Sequence, residues 1–103
     1  MITKKGEVIA VENISLSKSD SESISKKINL LMASTLAEVR RRGSLSSELK
    51  INANQINNLG KSLVKKKGDL QIIARALDDS QSADKVSVSL ELQSLEKSML
   101  NNS

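Results

Sequence analysis

The chain has 103 residues, with 16 basic and 12 acidic side chains for a net charge of +4, and it contains no Cys, His, Pro, Phe, Trp or Tyr. Those absences remove a disulfide framework, thiolate and imidazole metal sites and the commonest general base, so a non-enzymatic protein with no cofactor, no metal and no small-molecule substrate is expected. A core built only of aliphatic residues gains less per buried position, which predicts self-association or a helical protein partner.

No apolar run approaches the roughly 20 residues of a membrane-spanning helix, and the N-terminal residues lack the apolar stretch of a cleaved signal. The expected location is the cytoplasm, or outside the cell by a route without signal cleavage. Residues 1–19 are Ser-rich and weakly patterned and predict a mobile arm, leaving 20–103 as a helical domain. Within the arm, Ile14-Ser15-Leu16-Ser17 alternates as a short β segment would. A helix is expected to start near Ser19, Asp20 or Ser21 and to carry Ile24, Ile28, Leu31, Met32, Leu36 and Val39 on one side. Arg40, Arg41 and Arg42 complement the negative end of its dipole, and Gly43 closes it.

Leu45, Leu49, Asn52, Ile56, Leu59 and Leu63 follow at alternating steps of four and three, the spacing of a coiled-coil seam over about three heptads. These six residues are the candidate partner-binding surface. Asn52 is either the polar seam residue that fixes register or an exposed residue on an ordinary amphipathic helix. The end of the first helix, Val39-Arg40-Arg41-Arg42-Gly43-Ser44-Leu45, recurs as Val64-Lys65-Lys66-Lys67-Gly68-Asp69-Leu70. This predicts two helix-closing turns, with antiparallel neighbours or kinked continuous helices around them. Leu70, Ile73 and Leu77 then predict a short third helix.

Val86, Val88, Leu90 and Leu92 alternate with Ser87, Ser89, Glu91 and Gln93 at the strand period, but Val88, Leu92, Leu95 and Met99 also stand at helical steps. The helix-forming composition of the last residues favours a helix over about 89–100, with 85–88 left open. The expected fold class is thus mainly α: a small antiparallel helical bundle or coiled-coil hairpin, with a short β segment near each terminus.

Motifs that could carry chemistry are few. Gly60-Lys61-Ser62 matches the end of a phosphate-binding loop, but Gln55 stands where the leading Gly is required and the flanking pattern is helical. Asp78, Asp79 and Asp84 lack the spacing of a calcium loop and read as capping and solvated residues. Asn13-Ile14-Ser15 fits a glycosylation sequon by chance. Arg40, Arg41, Arg42, Lys65, Lys66 and Lys67 are candidate contacts to a nucleic-acid backbone, with no aromatic side chain to stack bases.

Two partial resemblances add to this reading. Gly68-Asp69-Leu70-Gln71 with Ile73 and Ala76-Leu77, then Leu90-Glu91-Leu92-Gln93, resembles the C-terminal helical region of type III secretion filament proteins, the EspA-like subunits. That likeness implies a component or chaperoned substrate of a bacterial secretion apparatus that polymerises through coiled-coil helices. Glu48-Leu49-Lys50 with Asn54-Gln55-Ile56-Asn57-Asn58-Leu59 resembles the Asn-rich helix of plasmid mobilisation accessory proteins. It implies the alternative function, a basic accessory protein on the DNA backbone.

Overall fold

The computed structural model describes residues 1–15, 21–65 and 68–94. They form six elements, β1 (Val8–Ser15), α1 (Ser21–Arg41), β2 (Leu49–Lys50), α2 (Ala53–Val64), β3 (Asp69–Ala76) and β4 (Val86–Ser94). The strands make one sheet in the order β1-β3-β4-β2, antiparallel except where β2 pairs with β4. Both helices cover the same face of that sheet, since Ile24, Ile28 and Leu31 of α1 and Leu59 and Leu63 of α2 share one core with Ile14, Leu70, Ile72 and Leu90. The architecture is mixed α/β and overturns the expected helical bundle or coiled-coil hairpin.

The reason lies in which period each segment satisfies. In β4 the buried Val86, Val88 and Leu90 alternate with half-buried Ser87, Ser89 and Glu91, so the strand period prevails over the helix expected from residue 89. Residues 95–100 of that expected helix lie outside the described residues. The third expected helix is replaced by β3, whose Leu70, Ile72, Ala74 and Ala76 are all buried beneath the helices. Small Ala side chains at two of those positions leave room for α1 to approach the sheet.

Residues 1–15, expected as arm, are built into the sheet and core. Ile2 and Ile9 join Val39, Ala76, Val86 and Val88 in a second core cluster. A bulge between Val8 and Ala10 inserts Ile9 into the ladder against β3. In a regular ladder strict alternation would turn Ile9 away from the core, since its neighbour Ala10 packs inward. Farther towards the N-terminus Thr3 pairs with Ser80, their buried hydroxyls 2.6 Å apart.

The two Gly-closed turns have different outcomes. At the first, Gly43 N–H donates to Arg40 O (3.0 Å), Ser44 N–H donates to Val39 O (2.9 Å) and Gly43 takes φ +109°, the double bond pattern of a Schellman cap. Gly68 also has positive φ (+95°) but leads into β3. The repeated segment therefore ends two helices without starting a helix immediately after either.

Candidate functional site

Between the helices runs an open groove. Its first part, about 410 Å³, is lined by Ile24, Ile28, Ile56, Gly60 and Val64 with Asn29 and Asn57 at its rim. The second, about 450 Å³, is lined by Met32, Leu36, Leu49, Ile51 and Ile56. Asn29 and Ile56 line both, so the two parts are continuous. The first half of α1 faces α2 and its second half faces residues 48–51, which sets α1 and α2 antiparallel. Val64 beside the groove is 54% exposed.

The six seam residues are distributed over three kinds of structure. Leu45 lies in the connection after α1 and is 79% exposed, its N–H donating to Ser82 O at 2.8 Å. Leu49 belongs to β2, and Asn52 is the N-cap of α2, its Oδ1 accepting the Asn54 N–H at 2.8 Å. Only the last three lie on α2, where Leu59 and Leu63 are buried against the sheet and Ile56 borders the groove. The continuous coiled-coil helix is thus corrected: its register crosses a loop, a strand and a cap before α2 begins. The signal for the true helix start was Asn52 itself, a residue type favoured at N-caps because its side chain satisfies an otherwise unpaired amide.

The cationic triplets are not brought together. Arg40 and Arg41 end α1 and Lys65 caps α2, at opposite ends of antiparallel helices, while Lys66 and Lys67 lie outside the described residues. Arg40 is exposed. Arg41 and Arg42 are held within the chain by Glu38, a partner the sequence reading missed although it stands three and four residues before them. Arg41 donates to the two Glu38 oxygens at 3.0 and 2.7 Å, and Arg42 Nε donates to Glu38 Oε2 at 2.8 Å. Arg42 Nη1 also reaches Glu7 Oε2 at 2.8 Å and Ile2 O at 3.1 Å, tying the N-terminal segment to the end of α1. Hydrogen bonds from Arg41 and then Arg42 pull the Glu38 carboxyl down to about 2, and the same bonds push both guanidinium groups upward.

Gly60-Lys61-Ser62 lies within α2. A Cβ added at Gly60 would meet nothing within 4 Å. Asp79 and Asp84 act in turns, accepting the Lys5 and Gln81 N–H groups at 2.8 and 2.9 Å. Among the described residues no group of three acidic side chains is placed to hold a metal ion, and no helix is long and apolar enough to cross a membrane.

A family model described as a DUF3084-associated C-terminal helical hairpin matches residues 3–101. It is neither of the two families that the sequence resembles. The antiparallel α1–α2 pair is the part of the structure which that description fits. No curated protein and no solved structure matches the chain.

Proposed function

The chain belongs to the family described as the DUF3084-associated C-terminal helical hairpin, and from that premise we propose that it is a non-enzymatic interaction module whose α1–α2 groove docks an apolar helical segment of a protein partner. The observation that carries this reading is the continuity of the groove, whose aliphatic floor runs between α1 on one side and α2 followed by residues 48–51 on the other. Such a surface suits a helix laid along it with side chains at three- and four-residue steps. The lack of His and Cys and the engagement of the shifted carboxylate Glu38 in an ion-pair cluster support a role in binding over one in catalysis.

Gly60→Leu is the matching variant, because Gly60 lines the groove and a Cβ there has no atom within 4 Å, so the side chain has space to enter. Replacing a mid-helix Gly removes a penalty of roughly 0.5–1 kcal/mol, so its thermal midpoint is expected to equal or exceed that of the wild type. Affinity capture from the source cells should retrieve a helical protein with the wild type and lose it with Gly60→Leu. An identical set of captured proteins from both would reject the groove as the docking site.

A further inference from the structure

We infer that the chain forms a two-fold dimer in which the outer edge of β1 pairs antiparallel with β1 of a second copy, centred on Asn13. β1 is an end strand of the sheet and pairs, among the described strands, only with β3. Which of its residues face outward follows from alternation along the ladders. The Leu90 N–H of β4 donates to Gln55 of α2 at 3.2 Å, on the side away from β3, so the odd residues of β4 are the ones that bond β3. Their partners Gln71, Ile73 and Arg75 are spent on β4, which leaves Leu70, Ile72, Ala74 and Ala76 to bond β1. Gly6 N–H donating to Ala76 O and Ala76 N–H donating to Glu7 O, both at 2.8 Å, fit that assignment. Across from this set, Ala10, Glu12 and Ile14 use their peptide groups within the sheet, and Val11, Asn13 and Ser15 turn theirs out of its edge.

Three features select a second copy as the occupant of that edge. The first is self-complementarity. With Asn13 opposite Asn13 of the second copy, Val11 meets Ser15 on both sides of the axis, and the outward amides and carbonyls of all three residues gain partners. The second is charge. Glu12, the one ionisable residue of β1, is held by Lys27 of α1 at 3.3 Å, so the two edges meet as neutral surfaces although the chain carries +4. In this register Glu12 stands opposite Ile14 instead of opposite a second Glu12, which avoids a like-charge pair. The third is that the stretch from Ala10 to Ser15 has no Pro, no Lys and no bulge, the devices that keep edge strands apart, since the bulge of β1 lies before it. Val11, 45% exposed at this edge, gains a cross-strand neighbour. Ser25 and Asn29 of the groove lie on the side of α1 opposite to Lys27, so the dimer keeps two grooves open and holds a two-site partner more tightly than one chain does.

Val11→Pro removes an outward N–H and no bond of the ladder to β3, a position at which an edge strand accommodates proline. Sedimentation of the full chain at micromolar concentration should give the mass of two chains for the wild type and of one for Val11→Pro, with the far-UV circular dichroism unchanged. Because the chain has no cysteine, Asn13→Cys introduces a single thiol whose disulfide can join only two copies. Residues opposed in a hydrogen-bonded antiparallel pair have Cα atoms about 5.5 Å apart, within disulfide reach. Under mild oxidation Asn13→Cys should crosslink roughly tenfold faster than Gln93→Cys, its control in the same row of the uncovered sheet face, through its higher effective concentration. If Val11→Pro fails to fold, the two crosslinking rates decide. A wild type of single-chain mass, a dimer that persists in Val11→Pro, or equal crosslinking of the two thiols would each overturn the pairing.

Discussion

Leu31→Ala is expected to lower the unfolding free energy by about 2–5 kcal/mol, the range for emptying a fully buried aliphatic site. Leu31 is 0% exposed and packs in the cluster that joins α1 to both α2 and the sheet. Leu45→Ala, by contrast, removes a side chain already in solvent and should change stability by no more than about 0.5 kcal/mol. The contrast has diagnostic force, because a coiled-coil seam would make Leu45 the first core position of its helix. Urea unfolding checks both variants. A midpoint shift with an unchanged slope is expected for Leu31→Ala, and a large shift for Leu45→Ala would contradict the packing described.

Arg42→Leu should give the second largest loss, about 1–2 kcal/mol, through its charge-assisted hydrogen bonds. Its guanidinium joins Glu38, Glu7 and the Ile2 carbonyl, so its removal loosens residues 1–7 from the end of α1. For a domain of this size, such a loss lowers the thermal midpoint by roughly 4–16 °C. A pH signature accompanies it. Glu38 titrates at about 2 in the folded chain instead of 4.5, so its contribution is complete above about 4.5 and disappears as pH falls towards 2. Stability measured across that window should fall more steeply for the wild type than for Glu38→Gln. Equal slopes would mean that the ion-pair cluster contributes nothing to the acid sensitivity of the fold.

Sequence periodicity exposed α1 well, because Ile24, Ile28, Leu31 and Val39 lie on one stripe and Gly43 ends it in the conformation that few other residues adopt. It was less decisive in β3, where Leu70, Ile73 and Leu77 suit a helix and Leu70, Ile72, Ala74 and Ala76 suit a strand. Pairing with β1 and β4 selects the second set, and local spacing contains no trace of that pairing. The Leu45–Leu63 register shows the opposite failure. Its spacing is regular, yet backbone requirements at Asn52 and the pairing of Leu49 with Val86 divide it. Of the groove, Leu49 and Ile56 stand among the candidate partner-binding residues of the sequence, whereas Ile24, Ile28, Met32 and Leu36 stand on the core-facing stripe expected of α1. Their shared border emerges only when α1 and α2 are placed side by side.

The pairing of β1 with β3 also bears on how the molecule is made. Val8 finds Arg75 across 66 intervening residues, and the β1 edge cannot join the sheet before that distance is closed, whereas β3 and β4 pair across a short connection. On a ribosome, β1 emerges long before its neighbour, while α1 and α2 can form from local contacts in the interval. The helices are thus available to shelter the inward side chains of β1 until β3 arrives. Delay in translation between residues 15 and 69 would prolong the time for which that strand is unpaired, which makes synthesis rate a determinant of yield for this topology.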